Sequence, residues 1–151
     1  MCASLRFQRM LDLSLPLMLC RVQAGFPSPA DDYIEQTLDL NRHIVRNPPA
    51  TYFVRAAGDS MEGAGIRSGD LLVVDRSIEP RPGLIVIASV QGEYTVKTLE
   101  SRSGRLWLAP ANPRYAAIEI TPDSDLDIWG VVTYVIHRAL PEAGHARVRP
   151  G

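Results

Sequence analysis

Residues 84–97 read Leu84-Ile85-Val86-Ile87-Ala88-Ser89-Val90-Gln91-Gly92-Glu93-Tyr94-Thr95-Val96-Lys97. The first seven carry no charge and are rich in β-branched side chains. That is the pattern of a strand buried on both faces, and it is too short for a helix. Gln91-Gly92 then turns the chain into residues 93–100 (EYTVKTLE), which makes a tight hairpin. Side chains alternate along a strand, so Tyr94, Val96 and Thr98 share one face while Thr95, Lys97 and Leu99 share the other.

The strand pattern continues on both sides of this hairpin. Residues 51–57 form one strand, stopped by Gly58, and residues 71–74 form another after the turn Ser68-Gly69-Asp70. Ser103-Gly104 turns the chain into 106–108, residues 118–120 are short, and 128–137 is the longest strand, with Gly130 at a bulge position. Strands at such short spacing predict a mainly β, sandwich- or barrel-like domain. Before it, Asp31 or Asp32 is placed to cap a helix running to Leu40 (DDYIEQTLDL), and Asn47-Pro48-Pro49 ends that region. The chain thus divides into an N-terminal arm over 1–24, flexible or loosely docked, and an extended linker over 25–49 with room for a short helix. The β domain follows over 50–138, and the stretch 139–151 is read as a disordered tail.

The 151 residues suit one ordinary domain with a tail at either end. With 46% hydrophobic and 22% charged residues, the composition is that of a soluble globular protein. A net charge of −1 excludes a generally basic, phosphate-neutralising protein. Cys2 and Cys20 both lie near the N-terminus, and His43, His137 and His145 are scattered. Neither a disulfide framework nor a zinc site is expected, and a reducing compartment is. Asp123, Asp125 and Asp127 alternate but lack the glycine and distal glutamate of a calcium loop, so no metal or cofactor is expected. Residues 1–24 have the basic start and apolar run of a secretory signal. Asp12 and Pro16 interrupt that run, and it is too short to span a bilayer.

Two places carry chemistry. Gly58-Asp59-Ser60-Met61 puts a serine in a sharp turn after a strand, with glycines at 58, 63 and 65 to permit unusual backbone angles. Such a turn exposes a nucleophile and aims backbone N–H groups at a developing oxyanion, although Gly-Asp-Ser is also ordinary turn chemistry. The second place is Lys97. Among the 16 basic residues it is the single lysine, and the rest are arginine. In water its pKa is about 10.4, so roughly one molecule in 2,500 is neutral at pH 7. Burial lowers that pKa and makes a lysine a usable base for a serine. The plainer reading is a lysine guarding a strand edge.

Five blocks taken together resemble the LexA/UmuD family of serine–lysine self-cleaving proteins, and the UmuD branch most. They are Gly25-Phe26-Pro27-Ser28-Pro29-Ala30, Gly58-Asp59-Ser60-Met61, Gly69-Asp70-Leu71-Leu72-Val73-Val74-Asp75, Gly92-Glu93-Tyr94-Thr95-Val96-Lys97 and Ile128-Trp129-Gly130-Val131-Val132. They occur in the family's order, and the match covers roughly residues 22–137. Departures are Leu84 after Gly83, where many relatives carry Asp, and Glu62 after Met61, where an apolar residue is usual. The resemblance implies a cytoplasmic serine endopeptidase that acts on itself. Ser60 would be the nucleophile and Lys97 the general base, with the N–H groups of Ser60 and Met61 holding the oxyanion. The bond cut would be Ala24-Gly25. It also implies stimulation by a RecA–single-stranded DNA filament in the SOS response. The shortened homodimer would then join a Y-family polymerase subunit for translesion synthesis, without sequence-specific DNA binding. Two other readings share the fold: a LexA-like repressor, for which about 50 proline-broken residues leave no room for a helix-turn-helix, and a non-catalytic binding module. A signal-peptidase relative would need a membrane anchor.

Overall fold

The computed structural model describes residues 13–18, 21–22, 24–25 and 34–141. The chain forms two compact units, 1–46 and 47–151. In the first, β1 (Ser14–Met18) pairs antiparallel with β2 (Ile34–Asp39), Leu15 lying opposite Leu38. A five-residue helix, α1 (Leu40–Ile44), follows directly. The helix expected over 31–40 is therefore displaced, since the described part of that stretch before Leu40 is a strand. Residues 34–38 have too weak an apolar stripe to hold a helix against a pairing partner, and ladder hydrogen bonds to β1 prevail over local propensity. The capping carboxylate is Asp39, which accepts a hydrogen bond from the Asn41 N–H at 3.1 Å. Asp31 and Asp32 lie outside the described residues, as do 142–151 of the expected tail.

The second unit is one seven-stranded antiparallel sheet. Its strands are β3 (Thr51–Arg55), β4 (Leu71–Asp75), β5 (Ile85–Val90), β6 (Glu93–Arg102), β7 (Arg105–Ala109), β8 (Ile118–Ile120) and β9 (Leu126–Ile136). Their order across the sheet is β3-β4-β9-β5-β6-β7-β8. The mainly β expectation holds. Two-residue turns with positive φ at both positions join β5 to β6 (Gln91 49°, Gly92 79°) and β6 to β7 (Ser103 50°, Gly104 76°). Both match the right-handed twist of the strands they join.

The last strand in sequence is central in space. The first half of β9 pairs with β5 and the second half with β4, and Val131 faces both Val86 and Asp75. Register slips by one residue at Trp129 against β5 and at Thr133 against β4. Bulges of this kind bend a strand and increase its twist. Gly130 is required beside the first bulge, because a Cβ there would lie 2.6 Å from Val74 Cγ1. The bend divides the core in two. Met61, Ile66, Leu72, Val74 and Ile87 pack on one side, and Val86, Ala88, Leu99, Leu108 and Val131 on the other. Alternate residues of β5 enter both clusters, as its uncharged run predicts. Leu84, the departure from the family pattern, packs against the second cluster, and Glu62 is exposed.

Candidate active site

Ser60 follows the end of β3. Ala56 keeps the ladder to β4 going through hydrogen bonds to and from Asp70 and Gly69 (both 2.8 Å), and the chain then leaves the sheet at Gly58. Gly58 has φ 85°, a left-handed conformation that favours glycine. After Ser60, Met61 is only 2% exposed and anchors the turn in the first core cluster with Ile66. A short 3₁₀ turn (Glu62–Ala64) and Gly65, φ 80°, close the loop. Gly63 serves differently from the sequence expectation. Its φ is not positive, but a Cβ would meet the Ala111 carbonyl oxygen at 2.5 Å, so glycine is needed there for close approach.

Lys97 stands on β6 opposite the fully buried Val86 and is itself 8% exposed. Its Nζ lies 2.9 Å from Ser60 Oγ, 2.9 Å from Thr95 Oγ1 and 3.1 Å from the Val96 carbonyl oxygen. Burial holds the Lys97 pKa below its ordinary value. Bonding to three oxygens that carry no formal charge leaves the ammonium without a counterion among the contacts of its Nζ, and the neutral amine is favoured accordingly. Ser60 and Lys97 are thus brought together, and Thr95, two residues before Lys97 on the same face, fixes the amine's position. Sequence reading placed Thr95 on that face without giving it a part.

This contact depends on tertiary structure. β3 and β6 are four places apart in the sheet, a gap of about 19 Å if the sheet were flat, at about 4.8 Å per step. Bent β9 and the loop carrying Met61 and Ile66 across the core close that distance. A cleft of about 190 Å³ opens beside Ser60, walled by Val54, Leu72, Ile87, Tyr94 and Val96. Exposed Tyr94 sets its ring edge-on to Trp129 at 5.7 Å, and the Arg76 guanidinium lies 5.3 Å from the Trp129 ring centre.

A stretch that sequence reading passed over holds the serine turn from behind. After β7, the Ala111 N–H donates to the Ser60 carbonyl at 2.8 Å, and the Gly63 N–H donates to the Ala111 carbonyl at 2.7 Å. Asn112 Nδ2 donates to the Asp59 carbonyl at 2.9 Å, and the Tyr115 hydroxyl donates to the Asp59 carboxylate. That bond raises the Tyr115 pKa. The only signal in the sequence was the turn chemistry of Pro110-Ala111-Asn112-Pro113. Ala24 and Gly25 form an exposed bend in the first unit. Among the described residues no cluster of three His, Cys, Asp or Glu side chains could hold a metal ion. No helix among them is long and apolar enough to cross a membrane.

A buried lysine amine at hydrogen-bond distance from a serine hydroxyl, at the edge of a cleft, can generate a nucleophile without histidine. Comparison with known proteins points to a peptidase-type family. The peptidase S24-like family matches residues 16–133. The chain belongs to that family. It is 49% identical over 131 residues to Protein SamA of Salmonella typhimurium, covering 87% of this chain and 91% of SamA. Protein ImpA of Escherichia coli is 52% identical over 123 residues, covering 82% and 83% of the two chains. Protein MucA of Escherichia coli is 48% identical over 122 residues, covering 80% and 83%. The chain is a peptidase S24-like protein of the UmuD type, carrying the five blocks quoted above in order.

Proposed function

We propose that this S24-like chain cuts its own Ala24-Gly25 bond with Ser60 as nucleophile and Lys97 as general base, and then serves in SOS mutagenesis. The observation that carries the reading is the 2.9 Å contact between Ser60 Oγ and the buried Lys97 Nζ. Neutral Lys97 takes the Ser60 proton as Oγ adds to the Ala24 carbonyl carbon. The oxyanion is received by the N–H groups of Ser60 and Met61. The turn's own backbone bonds are donated by Glu62, Ala64, Gly65 and Ile66, and Gly63 donates to Ala111, which leaves those two outside the turn's ladder. Collapse expels the Gly25 amine, which receives from the Lys97 ammonium the proton that came from Ser60. Water, deprotonated by Lys97, then hydrolyses the Ala24 ester, releasing residues 1–24 and freeing Ser60.

A bond carried on the same chain as its catalyst gains effective concentration, so control must act on docking. A RecA–single-stranded DNA filament fits that role by favouring the cleavable arrangement, without supplying catalytic groups. The product, residues 25–151, would act as a homodimer with a Y-family polymerase subunit in translesion synthesis in the cytoplasm.

The test is to incubate purified chain with the filament at neutral pH, and alone at about pH 10, following intact mass. Appearance of the 25–151 fragment in the parent, and in neither Ser60→Ala nor Lys97→Ala, supports the dyad. A folded parent that stays intact under both conditions overturns it.

A further inference from the structure

The segment after β7 does more than pack against the serine turn. A trans peptide sets its C=O and N–H antiparallel, so fixing the carbonyl of one residue fixes the N–H direction of the next. No peptide among the described residues is cis. The Ala111 N–H holds the Ser60 carbonyl at 2.8 Å, which sets the direction of the Met61 N–H. Asn112 Nδ2 holds the Asp59 carbonyl at 2.9 Å, which sets the direction of the Ser60 N–H. The Glu62 N–H approaches that same Asp59 carbonyl at 3.3 Å, and the Tyr115 hydroxyl secures the Asp59 carboxylate from the side. A carbonyl that accepts a hydrogen bond also polarises its own peptide unit, making the N–H on the far side a stronger donor.

We infer that Ala111, Asn112 and Tyr115 form a brace that aims the two oxyanion-binding N–H groups, with Asn112 the main side-chain positioning residue. The inference rests on the Ser60/Lys97 reading and extends it to how that site is held. Two features of the brace favour positioning over general packing. Asn112 uses both ends of its amide, since Oδ1 accepts the Arg114 N–H at 3.0 Å while Nδ2 reaches Asp59, so its side chain cannot turn freely. Gly63 is compressed against the Ala111 carbonyl, where even a methyl group would push the brace away.

Asn112→Asp isolates the effect. It keeps the acceptor for the Arg114 N–H and the side-chain shape, but no longer donates to the Asp59 carbonyl when ionised. Removing one oxyanion donor outright costs about 10²–10³ in rate. Mis-aiming one should slow first-order self-cleavage about tenfold to a hundredfold. The midpoint of the pH–rate profile, which Lys97 sets, should stay where it is in the parent. Tyr115→Phe should slow cleavage by a smaller factor, also with no change of midpoint. In a Ser60→Ala background, where nothing is cleaved, the Ser60-position amide resonance should move in ¹⁵N–¹H spectra on Asn112→Asp, with the thermal midpoint little changed.

Cleavage of Asn112→Asp at the parent rate, with that resonance unmoved, overturns the brace while leaving the dyad intact. A shifted pH midpoint also overturns it, because the loss would then come from disturbing Lys97. A parent that does not cleave at all removes the dyad reading and the brace's catalytic meaning together, even if the resonance moves.

Discussion

Lys97 is the residue on which the chemistry and the pH dependence both turn. Burial lowers its pKa, so the native state binds the lysine proton more weakly than the unfolded chain does. Between the lowered pKa and about pH 10.4, the unfolded chain carries the extra proton and native stability from this group rises with pH. Below that window the charged form must be buried at a cost. We therefore expect Lys97→Met to melt no lower than the parent at pH 7, with any advantage shrinking as the pH approaches 10. A variant that melts well below the parent at pH 7 would contradict this. Self-cleavage should rise with pH through the same lowered pKa and then level off. Lys97→Arg, which keeps the charge but cannot shed its proton, should abolish cleavage at every pH. Ser60 and Lys97 were both legible in the sequence, the one from its glycine-flanked turn and the other from being the only lysine. Thr95 shared the face of Lys97 in the sequence but was given no part, and Ala111, Asn112 and Tyr115 were not legible, because their parts arise from contacts between segments whose approach no local pattern encodes.

Elements are held at their turns and close approaches. Gln91 and Ser103 occupy left-handed positions without being glycine. Asn accepts that conformation more readily, so Gln91→Asn should raise stability by about 0.5–1 kcal/mol in chemical denaturation and leave the cleavage rate unchanged. Gly130→Ala should cost about 1–3 kcal/mol, since its methyl group would meet Val74 Cγ1 and the Asp75 carbonyl. Loss of that bulge would also misplace β5 relative to β4. All seven strands of the sheet were legible to within two residues at each end, because alternation and paired turn residues are local signals. The strand β2 was not, since residues 34–38 take that form only by pairing with β1. Nothing between Ile34 and Asp39 announces that partner.

On the scale of the whole molecule, both core clusters draw their residues from positions 52–135, within the second unit. A contact at a buried carboxylate links the start of β4 to the end of β9. Asp70, 2% exposed, accepts the Arg67 N–H at 2.8 Å and lies 2.6 Å from His137 Nδ1 at the end of β9. Burial pushes the Asp70 pKa up, but the Arg67 N–H and His137 outweigh it and hold the pKa below the usual value. A depressed carboxyl pKa stabilises the fold above the unfolded value, near pH 4, and that contribution is lost as the pH falls through the folded one. Asp70→Ala should cost about 1.5–3 kcal/mol near pH 7, because it removes the ionised carboxylate that accepts the Arg67 N–H. The penalty should shrink in melts run below pH 4.

The sequence by itself determined the seven strands of the large sheet, the tight turns, the serine turn and the solitary lysine. Each of these rests on side-chain period or backbone preference, which act over a few residues. Only the tertiary structure decided that β9 inserts between β4 and β5, that two bulges bend it, and that positions 60, 97 and 111–115 meet. Those outcomes depend on which surfaces can be buried together and which carbonyls then need donors, and segments 37 or more residues apart answer such questions jointly.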